Sequence, residues 1–262
     1  MTTLASAIRA ALLTADPRAK CFAVRDLVRR WRRGELEWRF DTEMPGQPAW
    51  PAMLDFRPPS QMPRRGKGAG KARLALWHAL AHIEFVAIDL ALDIVGRFAE
   101  QAGREFADDF LSVAADEAMH FALLERKLRS LDTRYGDLPV HDGLWQAAQD
   151  TSHDVAARLA VVPMVLEARG LDVTPATLER VRAQGDENGA RILSRILDDE
   201  IVHVGFGTKH FVRQAQSRGI APNLLWQDLV KANFAGRIQP PFNDSARLAA
   251  GLSRDFYAAI AS

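Results

Sequence analysis

Asp116-Glu117-Ala118-Met119-His120 and Asp199-Glu200-Ile201-Val202-His203 are the two runs on which the fold of this 262-residue chain turns. Each is a Glu-x-x-His motif in a helix-forming stretch. Side chains three residues apart share one face of a helix, so each run aims a carboxylate and an imidazole the same way. Two such motifs need two further carboxylates on partner helices to complete a di-metal site in a four-helix bundle. Glu84, in the apolar stretch 74–94, and Glu167, in the apolar stretch 155–169, supply them. In both cases the lone acid precedes the Glu of the motif by 33 residues. That distance suits half a helix down, a turn and half a helix back, at about 1.5 Å rise per residue. The pattern is an internal repeat of helical hairpins.

Composition agrees with an all-α globular protein. Apolar residues make up 48% and charged residues 26%, the usual soluble balance. The formal net charge of +1 does not mark the whole chain as a nucleic-acid binder. With one cysteine, Cys21, no intramolecular disulfide forms, which fits a reducing compartment. The first sixteen residues lack a basic segment followed by a long apolar core. The expectation is a cytoplasmic protein with no signal peptide and no membrane span.

Three segments follow in order. Residues 1–69 hold two short helices, 3–14 and 17–33, and then a strap. Asp16-Pro17 is a cap followed by a proline at the first helical position. The second helix ends in Arg29, Arg30, Arg32 and Arg33, read as a solvated helix end. Residues 34–69 contain six of the thirteen prolines, which forbids regular helix. Trp38, Phe40, Trp50, Met53, Leu54 and Phe56 are too apolar for a free linker, so an ordered strap packed on the bundle is expected. It closes in a glycine-rich basic run over 64–73, read as a flexible loop or a phosphate or RNA contact.

Residues 70–217 carry the bundle, with helices expected over 70–101, 104–130, 143–169 and 187–217. The first is apolar on every face, the mark of a buried helix. A bare carboxylate there costs several kcal/mol unless it is paired or binds a metal. His82 lies two residues before Glu84, about 200° round the helix, and reads as a core histidine. His210, two turns past His203, also reads as structural. Residues 131–142 are the longer crossover. Pro163 is expected to kink or widen the third helix just before Glu167. Gly170 reads as the end of that helix and Thr174-Pro175 as the start of another. Residues 218–262 add short helices, around 224–234 and 245–260, with Pro240-Pro241 between them.

The expected metal ligands are therefore Glu84, Glu117, His120, Glu167, Glu200 and His203. Four carboxylates and two imidazoles suit two metal ions per chain, iron or manganese. Four negative charges roughly balance two divalent cations. Asp116 and Asp199 are expected to accept the second N–H of His203 and His120, since a metal-bound histidine normally donates it. The bland alternative is a bundle with buried ion pairs, Glu84 and Glu167 meeting His120, His203 or Arg169.

At these residues the chain resembles the ferritin-like di-iron carboxylate superfamily. His82-Ile83-Glu84, Asp116-Glu117-Ala118-Met119-His120, Pro163-Met164-Val165-Leu166-Glu167 and Asp198-Asp199-Glu200-Ile201-Val202-His203 look most like a bacterial family catalogued as domain of unknown function 455. The likeness covers nearly the whole chain. It implies the ferritin-like fold and the same six ligands, and no substrate. The function expected is an oxygen-dependent oxidoreductase or hydroxylase with a small-molecule substrate and an electron donor, monomeric or dimeric and off the membrane. One alternative is an iron-oxidising or iron-storage protein. Another is an RNA-modifying hydroxylase resembling tRNA-hydroxylating ferritin-like enzymes, which the near-neutral charge disfavours.

Overall fold

A computed structural model describes residues 2–64 and 70–262. Among them every regular element is helical, and extended pairing is confined to isolated bridges. The all-α expectation holds. The chain divides into two compact units, Met1–Trp145 and Gln146–Ser262.

In the first unit, helix α1 (Leu4–Leu12) is capped by Thr3, whose hydroxyl accepts from the Ser6 N–H. Helix α2 (Pro17–Arg32) is capped by Asp16, which accepts from the Ala19 N–H at 2.7 Å. Both caps satisfy N–H groups that a helix start otherwise leaves without partners. The long helices α3 (Lys71–Ala102) and α4 (Arg104–Arg129) pack along each other and are separated by Gly103 alone. Its φ of 96° is open to glycine and strained for other residues, which lets the chain reverse across one position.

Helix α2 joins this pair through its inner face. Lys20 is fully buried and donates to Asp89 of α3 at 2.5 Å. Burial pushes the Asp89 carboxyl up to about 6, against the pull of Lys20. Cys21 lies beside Lys20, also buried, and burial pushes its thiol up to about 12.

The described part of the strap, residues 34–64, is ordered, as its aromatic content predicts. Leu12 accepts from the Ala49 N–H, Pro45 accepts from Arg97 at 2.9 Å, and Gly46 accepts from the Trp145 indole at 3.1 Å. Two backbone hydrogen bonds join Asp55 and Arg57 to Val140. Met44 fills the space over Gly96 of α3, where a Cβ would meet its sulfur at 2.3 Å. Residues 65–69, half of the glycine-rich basic run, lie outside the described residues.

Two histidines of α3 hold the crossover. His82 Nε2 faces the His141 carbonyl at 2.9 Å and Nδ1 faces the Tyr135 hydroxyl at 2.8 Å. A carbonyl only accepts, so Nε2 carries the hydrogen and Nδ1 accepts from Tyr135. His78 Nε2 accepts from the Gly136 N–H at 2.9 Å. Burial pushes both imidazoles down to about 4, so both are neutral near pH 7. His82 is the satisfied core histidine that its position predicts.

The second unit departs from expectation in two places. The helix expected over 143–169 is broken. Helix α5 (Gly143–Asp150) stops, and Asp154 then caps α6 (Val155–Val161), accepting from the Ala156 N–H at 2.8 Å. The buried Arg158 fixes the break by donating to Thr151 and to the Ala148 carbonyl. After α6 the chain widens into a π-helix over Val162–Glu167, with Pro163 in its first turn. The Ala168 N–H reaches back five residues to the Pro163 carbonyl. The expected distortion before Glu167 is therefore present.

The second departure is that Gly170 ends nothing and Thr174-Pro175 starts nothing. Helix α7 (Ala168–Ala183) runs through both. A proline inside a helix strips the carbonyl four residues back of its donor. That carbonyl belongs to Leu171, and the Asn243 side-chain amide donates to it at 3.1 Å. Helix α8 (Glu187–Ser217) matches its expected bounds and is capped by Asp186. Helix α9 (Pro222–Asn233) packs on α6, with the Trp226 indole donating to the Ala160 carbonyl at 3.2 Å. The helix expected over 245–260 is two short ones, α10 (Asp244–Ala249) and α11 (Arg254–Tyr257), broken at Gly251. Arg247 of α10 makes a buried two-pronged bond to Asp172 of α7. No described helix is long and apolar enough to cross a membrane.

Candidate metal centre

The first unit brings Glu84, Glu117 and His120 together. Glu84 comes from the middle of α3, and the other two from one face of α4. All three are buried, and His120 is fully so. His120 Nδ1 lies 3.1 Å from a Glu84 oxygen and 3.5 Å from a Glu117 oxygen. One donor atom from each of the three lies within 4.8 Å of the others.

The electrostatics follow from burial. Burial, and then the charge of Glu117, push the Glu84 carboxyl well above the ordinary carboxylate range. Burial alone would depress His120. Hydrogen bonds and charge from Glu117 and Glu84 override it and hold the imidazole up at about 11. The imidazolium proton therefore offsets two acids that would otherwise repel each other in a dry site. A cation can take over that role. Two carboxylate oxygens and one imidazole nitrogen, with no sulfur donor, suit iron or manganese. The residues present fit such an ion.

The second unit repeats half of this arrangement. Glu200 and His203 are buried on one face of α8, with His203 Nδ1 3.6 Å from a Glu200 oxygen. Glu200 lies thirteen residues into α8, and Glu117 lies thirteen residues into α4. Glu167 ends the π-helix and is half-buried, unlike Glu84. Asp199 is paired with Arg195 on its own helix at 2.6 Å, and Asp116 is half-buried. His210 is buried on α8.

Sequence reasoning passed over Tyr135. Its ring packs on Phe85, which follows Glu84, and on Phe121, which follows His120. A tyrosine in a crossover rich in breakers was the available signal. Lys20 and Asp89 were passed over as a pair, because 69 residues separate them.

Fold and site together define an all-helical chain with a buried carboxylate–imidazole group able to hold a metal ion. The chain belongs to the family described as protein of unknown function (DUF455), whose model matches residues 13–258. It is similar to an uncharacterized protein of Haemophilus influenzae (strain Rd), with 36% identity over 259 residues. That match covers 94% of this chain and 90% of the relative. No solved structure matches.

Proposed function

We propose that this chain is a di-metal carboxylate protein of the ferritin-like type, acting as an oxygen-dependent oxidoreductase or hydroxylase on a small molecule. Its ligands are Glu84, Glu117, His120, Glu167, Glu200 and His203. The supporting observation is the buried triad of Glu84, Glu117 and His120, whose α4 half recurs in α8 as Glu200 and His203 at the same depth in the helix. Burying acids in this way is costly unless cations compensate them.

Glu84 and Glu117 supply the charge that retains a cation, and His120 presents Nδ1 toward the same point. Asp116 and Asp199 keep the two imidazoles in one tautomer and orientation. A bound iron or manganese–iron pair supplies the electrons for reducing dioxygen. The burial of all three residues keeps bulk water from them. Turnover would require an external electron donor.

The test is metal content after anaerobic purification with ferrous iron. About two metals per chain are expected, falling below one in the Glu117→Ala/Glu200→Ala double variant. Less than one metal per wild-type chain sinks the proposal and leaves the His120–Glu84 contact as a buried ion pair. Light scattering separates the storage alternative, which requires a large hollow shell.

A further inference from the structure

The whole chain is nearly neutral, but its charge is unevenly placed. Residues 17–33 carry seven basic side chains and one acidic one; a total of +1 leaves −5 for the rest. Helix α2 sorts this segment sharply. Lys20, Val24, Leu27, Val28 and Trp31 are buried on one face. Arg18, Phe22, Arg25, Arg29, Arg32 and Arg33 are exposed on the opposite face. At 100° per residue these six fall within about 100° of arc, so they form one stripe. The stripe runs for about 22 Å along the helix.

Every cation in it is an arginine, whose planar fork matches phosphate oxygens and stacks on flat rings. Compensation within the stripe is weak. Arg29 meets Asp26, and Arg33 meets Glu35, each at 3.8 Å and with both arginines more than half exposed. Such pairs contribute little in water. Phe22 sits between Arg18 and Arg25 with 58% of its surface exposed, and the Arg18 guanidinium lies 5.7 Å from its ring. At the Arg18 end the stripe opens on a cleft of about 770 Å³. There Arg18, Arg129 and Arg134 are balanced in charge by Asp16, Glu125 and Asp132. The uncompensated charge therefore lies toward Arg33.

We propose that the outer face of α2 binds single-stranded nucleic acid. The arginines track the phosphates and the Phe22 ring stacks on a base. A length of 22 Å accommodates about six nucleotides at roughly 3.4 Å each. A lipid surface is the poorer fit, because membrane-seeking helices turn a broad apolar face outward. Here that face is packed inward. The proposal is independent of the metal reading, since no proposed ligand lies on α2.

The test is fluorescence anisotropy of a labelled oligouridylate of about 12 nucleotides, read against salt from about 50 to 200 mM. Four or five arginine–phosphate contacts give a log–log slope near −3, at about 0.7 per contact. Arg25→Ala/Arg29→Ala/Arg32→Ala together should flatten the slope by about 2. The corresponding lysine triple should retain it. Phe22→Ala should weaken binding roughly tenfold without changing the slope. Circular dichroism verifies that each variant keeps its helices. No salt-dependent binding by the wild type, or an alanine triple that binds as the wild type does, overturns the proposal. So does binding to anionic vesicles without binding to the oligonucleotide, or a preference for duplex over single strand.

Discussion

The two Glu-x-x-His helices share a design, but the helices that precede them do not. Helix α3 carries Glu84 through an unbroken run and reverses into α4 across one glycine. Its counterpart reaches Glu167 through a π-helix, continues past a proline and enters α8 after a longer turn. Glu84 is buried, whereas Glu167 is half-buried. The same spacing in sequence is thus built once as a closed, regular hairpin and once as a widened one. A π-bulge moves the side chains it carries off the helical register, and such bulges gather at functional sites. Under the proposed ligand set, the difference predicts tight holding in the first half and adjustability in the second.

The largest test of this contrast is at the ligands. Glu117→Ala should abolish retention of metal in the first half, because it leaves Glu84 and His120 as two donors. Glu167→Gln should lower the affinity of one metal and leave the other in place. Competition with a chelator, followed by mass spectrometry of the metal content, distinguishes the two outcomes. Equal loss from both variants would erase the contrast.

One substitution made in both halves gives the next largest effect. A Cβ at Gly207 of α8 would lie 2.5 Å from Pro163 Cβ, on the ring inside the π-helix. At Gly96 the clash is with the side chain of Met44, which flexes. Gly207→Ala should therefore cost about 2 kcal/mol, in the usual range for overpacking. Gly96→Ala should cost less than about 1 kcal/mol. Urea unfolding of the two variants measures the gap, and equal midpoints would refute it.

Acid should act on the first half selectively. His78 and His82 have folded pKa values near 4, against about 6.5 unfolded. The unfolded state binds more protons between these values, so stability held above pH 6.5 is lost as pH falls toward 4. Asp89, raised to about 6, works in the opposite direction globally, so a local probe is needed. Amide exchange at Gly136 and Leu138, whose N–H groups both donate to His78 Nε2, corrected for its intrinsic pH dependence, should speed up over that window. Unchanged protection at these amides would count against neutral imidazoles.

The smallest effect is expected at Asn243. Asn243→Ala removes the donor to Leu171 and the cap on Ala246, worth about 1–2 kcal/mol together. A thermal melt detects it. The same change in a Pro175→Ala background should cost less, because α7 then supplies its own donor to Leu171.

These contrasts also explain what the sequence disclosed. Helix α8 and the pair α3–α4 were readable to within a residue or two, since their periodicity, caps and glycine stop lie within the segments themselves. Pro163 announced the widened turn because its missing N–H acts on its own helix. The continuation of α7 through Gly170 and Pro175 was not readable. Its enabling donor, Asn243, sits 72 residues from Leu171. The break before α6 was partly signalled by Thr151 and Asp154, but the buried Arg158 that fixes it resembles any surface arginine in the sequence. Of the expected ligands, Glu84, Glu117, His120, Glu200 and His203 stood out as polar residues on apolar faces and are buried, whereas Glu167 is half-buried. Tyr135 did not, because a crossover has no periodicity to depart from.

Cys21 has a practical consequence. A buried thiol pushed up to about 12 on the inner face of α2 is mostly protonated near neutral pH and should react slowly with alkylating reagents. The chain therefore behaves as cysteine-free on its outside without any engineering. A fluorophore or spin label at a cysteine introduced at Ser130, which is exposed, would report from one site against a silent background.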